Sequence, residues 1–141
     1  MIWFTEFTAE SLNNRPKNHL GGLLDIQFTE VGEDFLTATM PVDERTHQPA
    51  GILHGGASVV LAETLGSVAS TMCIDPARYI AVGLEINANH LRPVKSGKVK
   101  GVCRPLHKGA KTHVWEIKIY DDRGKMNCVS RITVAILPKP N

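Results

Sequence analysis

Glu63 is the only charged residue in the run from Gly55 to Met72, GGASVVLAETLGSVASTM. A lone carboxylate in an apolar helical stretch costs several kcal/mol to bury without partners, so it must meet polar groups, a second chain or a ligand. Spacings of i, i+4 and i+7 place Glu63, Ser67 and Ser70 in one narrow polar stripe. Just upstream, Gln48-Pro49-Ala50-Gly51-Ile52-Leu53-His54-Gly55-Gly56 delivers an amide, an imidazole and paired glycines to the expected helix N-terminus. Free N–H groups there, with the positive end of the helix dipole behind them, bind an anion or a developing oxyanion. Glycine lets the backbone approach closely. Removing one such donor has cost other enzymes about 10²- to 10³-fold in turnover. A carboxylate working with a carbonyl-polarising amide is the equipment of acyl transfer or hydrolysis without a metal.

His90, in EINANHLRP, falls by strand alternation on the face of Val82, Leu84 and Ile86, which predicts an imidazole aimed into a pocket. Each of these residues also has a structural alternative. Glu63 could pair with a neighbouring subunit, His54 could cap the helix, His90 could be a satisfied core histidine, and Ser67 could bond to its own turn. It is their convergence that favours chemistry.

Other chemistries find little in the sequence. The six histidines form no HExxH, and Cys73, Cys103 and Cys128 form no CxxC, so no metal site is expected. Walker, GxGxxG and GxSxG patterns are missing, and no cofactor is expected. The net charge of +2 comes from scattered basic residues, so nucleic acid is not an expected partner. No apolar run approaches the roughly 18 to 20 residues that span a bilayer, and the first residues do not resemble a secretory signal. With an odd number of cysteines, each in an apolar run, the expectation is three core thiols in a cytoplasmic protein.

The elements that must position these groups can be read from the hydrophobic pattern. At 141 residues, 43% hydrophobic and 21% charged, the chain suits a single packed domain over 1–141. Thr8 caps a short helix to about Asn14, and Arg15-Pro16 ends it. Strands are predicted over 23–31 and 35–42, joined by a Gly32-Glu33-Asp34 turn. The run 55–72 is apolar around most of its circumference and is predicted as a helix enclosed by protein. Four strands are predicted at 79–91, 98–106, 112–120 and 126–137, the last two with clear alternation: Trp115, Ile117 and Ile119 against Glu116 and Lys118, and Met126, Cys128, Ile132, Val134 and Ile136 against Asn127, Arg131 and Thr133. The order implies an α+β domain, an antiparallel sheet curled around a central helix, with an uncovered edge that would recruit a second copy.

His54-Gly55-Gly56-Ala57-Ser58 and Leu61-Ala62-Glu63-Thr64-Leu65-Gly66-Ser67, with Met40-Pro41-Val42-Asp43, Gln48-Pro49 and Gly83 to His90, resemble the hotdog-fold acyl-CoA thioesterases. The likeness is strongest to the group that serves menaquinone synthesis and enterobactin proofreading, and it runs from Met1 to about Leu137. The resemblance implies a sheet wrapped around the long helix, and homo-oligomers, dimers or dimers of dimers, with shared sites. It implies hydrolysis of an acyl-CoA, most naturally an aromatic one such as a dihydroxynaphthoyl or hydroxybenzoyl thioester, with an acyl carrier protein as an alternative carrier and CoA as part of the substrate. Glu63 would be nucleophile or general base, and Gly55 N–H would polarise the carbonyl. Gln48 and His54 would position the thioester and its leaving thiolate, and Ser67 and His90 would hold the water or the acyl ring. Arg92 and the loop with His107, Gly109 and Lys111 would lie near the CoA phosphates or pantetheine arm, Gly83 would bind substrate, and Val68 would border the acyl pocket. Two departures stand out: Ala50 replaces a bulkier Phe, and the 74–78 segment is one residue longer. A hotdog hydratase or dehydratase is the rival enzyme reading, which release of free thiol separates from hydrolysis, and a non-catalytic acyl-CoA sensor, which usually adds a DNA-binding segment, is a distant one.

Overall fold

The computed structural model describes all 141 residues. Its elements in chain order are α1 (Ala9–Asn13), α2 (Leu20–Leu23), β1 (Gln27–Val31), β2 (Leu36–Pro41), α3 (Gly55–Met72), β3 (Tyr79–His90), β4 (Lys98–Lys108), β5 (Thr112–Tyr120) and β6 (Met126–Pro138). The six strands form one antiparallel sheet in the order β1-β2-β4-β5-β6-β3, and α3 packs against β2 through β6. This is the expected α+β hotdog architecture, a sheet wrapped around one long helix.

Thr8 caps α1 with a capping box to Ser11, as its residue type predicts. The predicted strand over 23–31 begins later: Leu20–Leu23 turns as a helix capped by the His19 side chain, and Asp25 takes a positive φ of 53° before β1 starts. The apolar residues Leu20, Leu23 and Leu24 mimicked a strand, yet Gly21-Gly22 between them lets the backbone coil tightly.

Helix α3 has its predicted bounds, but this chain encloses only one side of it. Ser58, Leu61, Ala62, Leu65, Gly66, Ala69 and Ser70 are buried at helical spacing, against a sheet face that includes Trp115, Ile117, Ile119, Ile132 and Val134. Gly56, Glu63 and Thr71 stay exposed, and Val59, Val60, Thr64, Ser67 and Val68 are half-buried. The three cysteines are free and buried, as expected. Burial pushes the Cys73 thiol up to about 11 and raises Cys103 and Cys128 as well.

Four register shifts interrupt the sheet, and those in β3 and β6 change which side chains face inward near the head of α3. Leu84 is the extra residue in β3, because Gly83 pairs with Val134 while Glu85 pairs with Thr133. Inward parity therefore switches from Tyr79 and Ala81 to Ile86 and Ala88. The predicted shared face of His90 with Val82 and Leu84 is corrected accordingly: Val82 and Leu84 are exposed, and His90 continues the Ile86–Ala88 series. In β6 the extra residue is Asn127, because Ile119 pairs with Cys128 and Tyr120 with Met126. Asn127 turns inward beside Cys128 instead of sharing the outer face with Arg131.

Candidate active site

The head of α3 is built by two laced segments. His54 N–H donates to the Thr46 carbonyl at 2.8 Å and Leu53 N–H to the Val94 carbonyl at 2.7 Å. A His47–Leu53 bridge and a His47 Nε2 contact to the Lys95 carbonyl at 3.0 Å tie the same loop down. Residues 46–54 are thereby fixed against 90–95. His54 caps the helix: Gly56 N–H donates to its Nδ1 at 2.8 Å, which leaves the ring proton on Nε2. Gly55 N–H donates to no protein acceptor and stays free at the positive end of the dipole. The His90 ring lies directly over this residue, since a Cβ at Gly55 would stand 2.8 Å from His90 Nε2. Only glycine permits the imidazole to sit there.

Gln48 is half-buried in a tight loop, where its Oε1 accepts from Ala50 N–H and its carbonyl accepts from Gly51 N–H at 2.9 Å. Its Nε2 remains available. Gly55, His90 and Arg92 line a cavity of about 380 Å³ together with Ser58, Pro93 and Asn127. Arg92 is exposed and also borders an adjoining groove with Lys95 and Arg123. The sequence thus brings His54, Gly55, His90 and Arg92 to one end of α3, with Gln48 on the same loop.

Glu63 stands elsewhere on the helix. It is exposed, with no hydrogen bond or ion pair to any residue of its chain, and it lines a cleft of about 240 Å³ with Leu20, Val59, Val60 and Thr64. Its Oε1 is 3.9 Å from where a Cβ at Gly83 would stand, so the β3 glycine keeps the carboxylate's surroundings open. Eight residues separate Glu63 from Gly55, about 12 Å along the helix axis. A single chain therefore cannot bring its carboxylate and its Gly55 amide to one carbonyl group.

Thr64 also lines a second cavity, of about 120 Å³, with Val68 of α3, Leu12 of α1 and Ile26 and Phe28 at and beside β1. Val68 gives this cavity part of its apolar wall, and Asn13, Arg15, Lys17, His19 and Gln27 line the rest. The contribution of α1, β1 and Thr64 was not read from the sequence, because those residues are far apart in the chain and carry no motif. Ser67 stays half-buried beside Glu63. Its hydroxyl has no protein partner, and its carbonyl accepts from Thr71 Oγ1 at 2.9 Å.

Ser70 leaves the predicted stripe. It lies only about 20° around the helix from Glu63, but two turns further along, where β5 covers that face of α3. There it is fully buried, accepting from Trp115 Nε1 at 2.7 Å and meeting His113 Nδ1 at 3.0 Å. The contact also locates the β4–β5 hairpin, which carries His107, Gly109 and Lys111. Ser70 is fifteen residues from Gly55, about 22 Å along α3, so these three residues lie at the opposite end of the helix from Arg92 and the Gly55 amide.

A thioesterase superfamily model matches residues 50–128, the stretch that holds Gly55, Glu63, Ser67 and His90. The chain is 54% identical to the 1,4-dihydroxy-2-naphthoyl-CoA hydrolase of Escherichia coli over 97% of this chain and 100% of that protein. It is 50% identical to the proofreading thioesterase EntH of Cronobacter turicensis over 97% of this chain and 99% of that protein. A crystal structure of a mutant thioesterase from Pseudomonas aeruginosa superposes with a TM-score of 0.96 at 52% identity, covering 99% of this chain and 100% of that one. With a family match over more than half of the chain and relatives that match over nearly their whole length, this chain belongs to the thioesterase superfamily and is a thioester hydrolase of the hotdog fold.

Proposed function

We propose that the chain hydrolyses an aromatic acyl-CoA thioester to the free acid and CoA, in the cytoplasm, and that each reaction centre is assembled from two copies. The observation that carries this reading is the unspent Gly55 amide. A donor aimed away from its own helix, backed by the dipole, stabilises the oxyanion of a tetrahedral intermediate. Glu63 supplies the other half. Either its oxygen adds to the carbonyl carbon, expelling the thiolate and leaving an anhydride that water opens, or it takes a proton from water as that water attacks. Both routes consume one water, and the thiolate leaves as free thiol after taking up a proton.

The axial separation of Glu63 and Gly55 supports pairing the carboxylate of one copy with the amide of another. The unpaired β3 edge supports the assembly itself. It is twelve residues long and carries exposed Val82 and Leu84, the kind of edge that a second copy covers across a twofold axis. Dimers, or dimers of dimers, are the assemblies this geometry favours. In such a centre the free Nε2 groups of Gln48 and His54 would direct the thioester and leaving thiolate. Ser67 and His90 would hold the water or the acyl ring, beside open Gly83. Arg92 of one copy and His107, Gly109 and Lys111 of another would meet the CoA portion, whether CoA itself or the equivalent arm of a carrier protein.

For the acyl group, the cavity of about 120 Å³ sets Leu12, Ile26, Phe28 and Val68 beside Arg15, Lys17 and His19, which supports an aromatic ring that carries polar substituents. The name of the Escherichia coli relative, a naphthoyl-CoA hydrolase, supports the same class. The test is Glu63→Gln assayed with benzoyl-CoA by release of free thiol. The expected loss is about 10³-fold or more, the scale of removing a group that works in the transition state, with melting temperature and oligomeric state retained. Near-wild-type release would overturn the assignment.

A further inference from the structure

The cavity of about 120 Å³ beside Val68 joins apolar side chains to three basic ones, Arg15, Lys17 and His19, and no carboxylate lines it. Neither Arg15 nor Lys17 forms an ion pair with any acid of the chain. The neutral polar groups around them are largely spent. Asn13 Nδ2 donates to the Phe28 carbonyl and its Oδ1 accepts from Phe28 N–H, both at 2.8 Å. Gln27 Nε2 donates to Asp25 Oδ1 at 2.9 Å. His19 Nδ1 accepts from Gly22 N–H at 3.3 Å, which leaves its ring proton on Nε2. Among the side chains of the lining, two cations, an imidazole N–H and the Thr64 hydroxyl therefore remain, against Gln27 Oε1 as the one dedicated acceptor. A surplus of donors and of positive charge is the complement of an anion.

The backbone holds these cations in place although their side chains are exposed. Pro16 fixes its own φ and confines Arg15 to extended conformations. On the other side, Gly22 of α2 packs so closely on the Lys17 carbonyl that a Cβ there would overlap it, and His19 caps that same helix. The segment from Arg15 to His19 is thus anchored by α1 before it and α2 after it. The cavity is also next to the chemistry. Thr64 lines both it and the cleft that holds Glu63, and Val68 follows Glu63 by five residues, about 7.5 Å along α3, a length comparable with a benzoyl ring and one substituent. All of these residues belong to the copy that supplies the carboxylate, so their placement is the same whichever copy supplies the Gly55 amide. An acyl ring with its carbonyl at Glu63 that passes Thr64 and Val68 presents its far side to Arg15 and Lys17.

We propose that Arg15 and Lys17 bind a carboxylate on the ring of the acyl group, so that the preferred substrates are CoA thioesters of aromatic dicarboxylic acids; this rests on the thioester hydrolase reading and narrows its substrate class. The test compares 3- and 4-carboxybenzoyl-CoA with the 3- and 4-carbamoylbenzoyl compounds, which match them in shape without the charge. For at least one of the two positions, wild-type kcat/KM is expected to favour the acid about tenfold, the low end for hydrogen bonds to a charged group because both cations are exposed, and mainly through KM. The preference should shrink as salt is raised to about 0.5 M. In Arg15→Gln/Lys17→Gln the acid and the amide should come within about twofold of each other, and in Arg15→Glu/Lys17→Glu the amide should be favoured. Equal kcat/KM for acid and amide at both positions in the wild type would overturn the proposal, and so would a preference for the acid that survives the double Gln variant. Failure of the hydrolase reading would look different, as wild-type protein that releases thiol from none of these compounds and not from benzoyl-CoA either.

Discussion

Ser70 and Ser67 are three residues apart on α3, yet only Ser67 remains beside Glu63. Ser70 is spent on Trp115 and His113, a buried polar group satisfied inside the core. The residue with a measurable pH signature is therefore His113. Desolvation lowers its pKa most, the cations near it at Lys108 and His107 lower it further, and a backbone hydrogen bond at Gly109 offsets part of this. A histidine whose folded value is lowered is protonated more readily when unfolded. Stability should then be level above the unfolded value of about 6.5 and fall as pH drops from there to the lowered folded value. Thermal melts from pH 8 to pH 5 should show that decline, and His113→Gln should flatten it. A decline of equal size in the variant would place its origin elsewhere. Trp115 was legible as core from strand alternation, and the three cysteines from the apolar runs that hold them. The partnership of Ser70 with β5 was not, because a helical wheel cannot say how far around the helix the sheet will wrap.

At the scale of elements, α3 was legible to the residue because glycines open it and an apolar run fills it. Strands β5 and β6 were legible because their alternation is strong. The bulges at Leu84 and Asn127 were not. Gly83 is the one signal beside the first, since an isolated glycine in a strand marks a bulge; nothing in the sequence announces the second, and each changes the facing of the residues beside it. The site depended on both, since one bulge aims His90 and the other aims Asn127. The seating of α3 on the sheet turns on Gly66, where a Cβ would come within 2.4 Å of Ile132 Cγ2. Glycine inside a helix costs about 1 kcal/mol relative to alanine, so close packing must outweigh that loss. Gly66→Val should destabilise by about 1 to 3 kcal/mol through overpacking, read from the midpoint of a urea transition. A gain in stability would show that the helix has room to move.

For the whole molecule, what one chain leaves unfinished is consistent across features that are far apart in the sequence. The outer face of α3 is uncovered, the β3 edge is unpaired and carries Val82 and Leu84, and Glu63 lies about 12 Å along the helix axis from Gly55. The double variant Val82→Lys/Leu84→Lys, with like charges along that edge, should sediment as a folded monomer and lose thioesterase activity. A folded monomer that kept full activity would mean that one chain suffices. Complementation tests the shared site most directly. Glu63→Gln lacks the carboxylate, and Gly55→Ala places a methyl against His90 Nε2; each alone should be nearly inactive. If the chains are mixed, unfolded and refolded together, half the twofold dimers pair one variant with the other. Each such dimer then holds one centre with both Glu63 and Gly55 intact, so about a quarter of wild-type activity should return. If both groups acted within one chain, no combination would contain an intact centre, and a mixture as inactive as its parts would contradict the account.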